Sequence, residues 1–110
     1  MRCLRGRIVD VAVDVRSGSP TYGQHVRAEL SPKNATQLWV PAGFLHGFVT
    51  LEPDTEVLYK VTDIYAKDCE GGVLWNDPDL GIDWGLGDTP PVLSDKDEIA
   101  PRFADFKSPF

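Results

Sequence analysis

Residues 5–16 read Arg-Gly-Arg-Ile-Val-Asp-Val-Ala-Val-Asp-Val-Arg and alternate with a period of two. Val9, Val11, Val13 and Val15 fall on one face, with Asp10, Asp14 and Arg16 on the other. Branched side chains suit a pleated surface and lose rotamer freedom in a helix, so this run predicts a half-buried strand with its valines inward. The pattern recurs. Residues 24–30 and 56–62 alternate again, the latter placing Val57, Tyr59 and Val61 together. Shorter strands are expected at 37–40, 48–51, 73–75 and 81–84. Turn chemistry separates them: Ser17-Gly18-Ser19-Pro20, Ser31-Pro32-Lys33-Asn34, Glu52-Pro53-Asp54-Thr55 and Asn76-Asp77-Pro78-Asp79. Ser94, with Asp97 three residues on, marks a helix start, and Pro101 keeps that helix short. The sum is an all-β chain, a sandwich or barrel of jelly-roll type with one short C-terminal helix.

At 110 residues the chain reads as one domain, 1–110, large enough to bury a core without staples. Its net charge of −6 argues against nucleic acid as a partner, because phosphate backbones call for a basic patch. A small anionic ligand is still compatible, since a few converging cations make a local positive site. No apolar run approaches the roughly 20 residues of a membrane span, and the N-terminus lacks a signal-peptide pattern, so a cytoplasmic location is expected. Cys3 and Cys69 fit neither a disulfide framework nor a zinc spacing and read as small buried apolar residues.

The stretch 38–51, Leu-Trp-Val-Pro-Ala-Gly-Phe-Leu-His-Gly-Phe-Val-Thr-Leu, holds the most suggestive side chain. Pro41, Gly43 and Gly47 predict a tight connection between two strands. That connection would hold His46 at their mouth, with Trp39, Phe44 and Phe48 as walls. On spacing alone such a histidine reads as a packed, hydrogen-bonded residue before it reads as a catalyst. Pro41-Ala-Gly-Phe-Leu-His46 also echoes a cupin metal motif. Metal sites of that class need two or three histidines and a carboxylate, and no second ligand stands at a telling spacing, so no metal is expected.

Taken in order, five stretches resemble the C-terminal part of the dTDP-4-dehydrorhamnose 3,5-epimerase family. They are residues 5–16, Gln37-Leu-Trp-Val-Pro-Ala-Gly-Phe-Leu-His-Gly-Phe48, Glu56-Val-Leu-Tyr-Lys60, Trp75-Asn-Asp-Pro-Asp-Leu-Gly-Ile-Asp-Trp84 and Leu93-Ser-Asp-Lys-Asp97. The resemblance implies a cupin-like jelly roll and action on dTDP-4-keto-6-deoxyglucose. Protons beside the keto group, at C3 and C5, are removed and returned on the opposite face. Such chemistry needs a base, a group that stabilises the enolate and an acid, and no cofactor.

By the same resemblance, Tyr59 matches the tyrosine that donates the proton, and His46 a histidine that contacts the substrate. Glu70 and Lys96 match further substrate-binding positions, and Asp97 the aspartate that orients the base histidine. Without the resemblance, Tyr59 would be a core tyrosine, Glu70 and Lys96 solvated charges, and Asp97 a helix-capping carboxylate. The family's base histidine, in a Gly-Leu-His-Phe segment, and a lysine at the keto oxygen both match upstream of Met1. So do N-terminal strands that help to build a dimer and hold the nucleotide. Ile64 stands where many members carry an aromatic residue before Tyr65, and His25 matches no catalytic position.

Three expectations follow. The first is an epimerase with another base, for which His46 is the candidate. The second is a shortened relative that binds a nucleotide sugar with impaired or no turnover, its exposed sheet edges covered in a homodimer. The third and weakest is a metal-dependent cupin. Whether the chain is an enzyme stays open between the first two.

Overall fold

The computed structural model describes residues 1–64, 66 and 70–110. Five strands lie within the first 58 residues: β1 (Arg2–Arg5), β2 (Ile8–Asp14), β3 (His25–Leu30), β4 (Phe44–Thr50) and β5 (Glu56–Leu58). They form two antiparallel sheets, one ordered β3-β2-β4 and one pairing β1 with β5. The result is the expected all-β sandwich. A short helix, α1 (Asp95–Glu98), and a 3-10 turn at Phe103–Asp105 follow near the C-terminus.

Strand β2 departs from the half-buried strand that its alternation predicts. All seven of its residues are buried. The valine face packs under residues contributed by the C-terminal half, with Leu80, Val73, Ile82, Trp84, Phe103 and Phe106 against Val9, Val11, Val13 and Val15. The other face looks toward the β1–β5 sheet, where Ile8 and Leu30 cluster with Cys3 and Val57. Burying a side chain such as Ile8 or Leu30 stabilises by roughly 1.5–3 kcal/mol, so the central strand is the energetic anchor. Of the two cysteines, Cys3 is a buried small residue as expected, and Cys69 lies outside the described residues.

The predicted strands differ in extent. Residues 37–40 contribute a single bridge, Arg2 to Gln37, with Pro41 closing the run. Strand β5 ends at Leu58 where alternation suggested Thr62. Residues 73–84 form turns and irregular chain where two strands were expected. Their backbone is tied by other means. Asp77, itself buried, accepts from the Phe103 amide at 2.6 Å and the Asp79 amide at 2.8 Å, and Leu74 N–H donates to Pro101. The helix start is as the sequence implies: Ser94 caps α1, its side chain accepting from the Asp97 amide.

Candidate active site

The predicted tight connection is shorter than the glycines suggest. Gly43, at φ +89° and close beneath the Arg16 side chain, belongs to it, and β4 begins one residue later. Gly47 is a strand residue facing Val11 across the ladder. A Cβ there would sit 3.3 Å from the Trp84 ring, so its bareness seats a tryptophan and makes no turn. His46 accordingly stands on a rigid strand, opposite Ala12, and Phe48 stands opposite Asp10.

Residues opposite one another in an antiparallel ladder share a face, so His46, Phe48, Asp10 and Ala12 rise together on the side away from the valines. The diagonal pair meets. His46 Nε2 lies 2.5 Å from Asp10 Oδ1, with the imidazole 30% exposed and the Asp10 side chain fully buried. A contact this short between a ring nitrogen and a carboxylate oxygen contains a proton. The Phe48 ring leans on the imidazole at 6.3 Å between centroids.

His46 opens onto a cavity of about 580 Å3. Trp39, Phe44 and Phe48, the walls read from the sequence, all line it, together with Tyr59 and Lys60. This volume falls within the range of small-molecule sites, and a mostly apolar lining, aromatic in part, with a few polar groups is their usual make-up. Tyr59 follows directly on β5. It is not the core residue that alternation suggests: 63% of its surface is exposed, and it borders the cavity along with the equally open Val61. Trp39, at 76%, is more exposed still.

The other predicted residues gather elsewhere. Lys96 Nζ lies 3.4 Å from Glu70 Oε1, pairing two positions 26 residues apart. Asp97 follows in α1 with its amide engaged by Ser94. The described lining of the cavity does not include Glu70, Lys96 or Asp97. His25 pairs with Val13 on β2 and so occupies the sheet's opposite face from His46. Among the described residues, no three His, Cys, Asp or Glu side chains converge in a way that could hold a metal ion.

Asp10 is the site residue that alternation hides. Periodicity places it with Asp14 on a solvent face, because a period of two says which residues share a face and not what covers that face. Asp14 is also buried, but it is thoroughly paired. Arg16 holds it through Nε, Nη2 and its amide, and Ser19 and Thr21 donate their hydroxyls. The Arg16 bond, aided by the two hydroxyls and opposed by burial, holds the Asp14 carboxyl well below the usual carboxylate range. The signal that could have separated the two is local: Arg16, Ser19 and Thr21 follow Asp14 in the turn that ends its strand, whereas Asp10 lies mid-strand, flanked from Ile8 to Val13 by side chains that carry no donor.

Comparison with known proteins agrees with the order of motifs. The family model described as dTDP-4-dehydrorhamnose 3,5-epimerase matches residues 1–105. A dTDP-4-dehydrorhamnose 3,5-epimerase from Sinorhizobium fredii is 53% identical over 110 residues, which is 100% of this chain and 56% of the relative. The crystal structure of the Bacillus anthracis enzyme, with TDP and PPi bound, superposes with a TM-score of 0.87 at 50% identity, covering 92% of this chain and 57% of that one. That of dTDP-6-deoxy-D-glucose-3,5-epimerase from Legionella pneumophila, in complex with dTDP-4-keto-L-rhamnose, gives 0.84 at 39% identity, covering 96% and 56%. The chain spans about half the length of the curated relatives it matches. The cupin-like sandwich, the ordered motifs and the match over nearly every residue agree: the chain belongs to the dTDP-4-dehydrorhamnose 3,5-epimerase family.

Proposed function

We propose that the cavity takes a dTDP-linked 4-keto-6-deoxy sugar and that its side chains serve proton removal and return at C3 and C5. The observation that carries this reading is the meeting of His46 and Tyr59 on one aromatic-walled cavity in a chain of this family. The bound TDP and dTDP-sugar of the Bacillus anthracis and Legionella pneumophila proteins support the ligand class. A carbon acid beside a ketone loses its proton when the enolate oxygen is stabilised by hydrogen bonds or charge, and an acid must then deliver a proton to the other face. Tyr59 is the donor in this scheme. His46 contacts the sugar near the reacting carbons. Glu70 and Lys96 bind more distant parts of the ligand, and Asp97 orients the base histidine of the family.

The 110 residues contain two histidines, and only His46 lines the cavity among the described residues. The candidate base among these residues is His46, which borders the cavity. We further propose a homodimer. Val26, Leu58, Val61 and Ile64 are exposed, and the β1–β5 pair is a two-stranded sheet, a form that gains by pairing with another chain. The reading carries cytoplasmic residence with it. A monomer by light scattering at micromolar concentration would count against the dimer.

The test is incubation with dTDP-4-keto-6-deoxyglucose in heavy water, with the C3 and C5 proton signals followed by NMR. Signal loss above the protein-free rate, abolished by Tyr59→Phe and His46→Asn, supports an active site. Binding without exchange would make the chain a nucleotide-sugar binding module. Absence of binding would remove the reading altogether.

A further inference from the structure

A carboxylate buried in the middle of a sheet is costly unless its oxygens are paired. Asp14 meets that requirement with five donor contacts. Asp10, on the same face of the same strand and fully buried, has His46 Nε2 on Oδ1, and its Oδ2 has no hydrogen-bond partner among the described residues. Its cross-strand neighbours, Ala28 and Phe48, offer no side-chain donor. This is a poor arrangement for stability and a good one for controlling an imidazole. A neutral imidazole carries one N–H, and the hydrogen bond made by one nitrogen decides what the other can do. With Nε2–H committed to Asp10, Nδ1 keeps its lone pair.

We propose that Asp10 is a positioning residue that fixes His46 as the Nε2–H tautomer, so that His46 meets its ligand through Nδ1 as a hydrogen-bond acceptor. The natural partner is a sugar hydroxyl, which would donate to Nδ1. The ligand part of this inference rests on the proposed function; the tautomer is a property of the ligand-free protein. The contact of the Phe48 ring with the imidazole is a second restraint on the same ring.

The experiment is long-range proton–nitrogen correlation NMR of the histidine rings in the ligand-free 110-residue chain. The chain holds two histidines, so His46→Asn assigns the signals. The expected result is the Nε2–H tautomer at His46 in the wild type and a shift toward Nδ1–H or a mixture in Asp10→Leu. An Nδ1–H ring in the wild type, or an unchanged ring in Asp10→Leu, whose side chain offers Nε2–H no acceptor, overturns the proposal. Should Asp10→Leu fail to fold, the wild-type tautomer decides.

Calorimetric titration with dTDP-4-keto-6-deoxyglucose separates a positioning role from a merely structural one. Asp10→Asn should weaken binding by about tenfold, the scale of one hydrogen bond to a charged or oriented group. Added to His46→Asn, it should weaken binding no further, because the two act as a unit. Additive losses would show that Asp10 does not act through His46 and would overturn the proposal. No binding by any version, with the expected tautomer intact, would leave the positioning of His46 standing and remove the sugar-nucleotide reading.

Discussion

Asp10 and Asp14 stand four residues apart on β2, point to the same face and are both withdrawn from water, yet their surroundings differ in kind. Asp14 sits in a nest of donors from its own loop, with Arg16 stacked over Phe44 at 5.0 Å to close it. That nest belongs to the fold: it fixes the exit of β2 and the turn to β3. Asp10 sits among apolar neighbours, bound to the one imidazole that opens onto the cavity. The difference teaches that burial alone does not mark function. A carboxylate supplied by its own loop stabilises the chain, whereas one left with a single partner at a cavity wall is arranged for what that partner does.

The comparison can be sharpened or broken by substitution. The largest expected effect is on chemistry: Tyr59→Phe and His46→Asn should each lower proton exchange by about a hundredfold or more, the usual scale for a general acid or base. The exposed Tyr59 ring predicts that the melting temperature stays nearly unchanged in Tyr59→Phe, which a thermal melt checks.

Next comes Asp14→Asn, which removes the charge that Arg16, Ser19 and Thr21 are arranged around. The melting temperature should fall by about 5 °C or more. The pH dependence follows from the same contacts. A carboxyl held below its ordinary value of 3.8 contributes stability that is fully present above that pH and fades as pH drops below it. Asp77, lowered chiefly by the Phe103 amide and also by that of Asp79, acts in the same direction. Wild-type stability should therefore decline below about pH 4, and Asp14→Asn should flatten that decline in melts across an acid series.

The smallest effect expected is that of Gly47→Ala, which forces the Trp84 ring to give by a few tenths of an ångström. It should cost about 1 kcal/mol in denaturant titrations, in the range of mild overpacking. Trp84, whose Nε1 donates to the Trp75 carbonyl, should report the shift in its fluorescence.

What was legible in the sequence was whatever depends on near neighbours. The strand pattern of residues 8–14, the Ser94 cap and the aromatic walls Trp39, Phe44 and Phe48 follow from spacing and local chemistry, and the structure has them. Gly47 misled because a glycine signals a turn and a close approach equally, and only the distant Trp84 distinguishes them. The strands expected at 73–75 and 81–84 gave way because Asp77 and the Trp84 indole tie that segment through side chains. Asp10 was hidden for the same reason. Its partner lies 36 residues away, and its cover comes from a second sheet. The motif resemblance singled out Tyr59 and His46 where periodicity could not, and both line the cavity.

The most direct measurement is a matched pair, Asp10→Asn and Asp14→Asn, each examined by thermal melt and by titration with dTDP-4-keto-6-deoxyglucose. A crossed result is expected. Asp14→Asn melts lower and, where folded, binds as the wild type does; Asp10→Asn melts close to the wild type and binds about tenfold more weakly. Parallel losses of stability and binding in both variants would contradict it, because the two carboxylates would then serve one purpose.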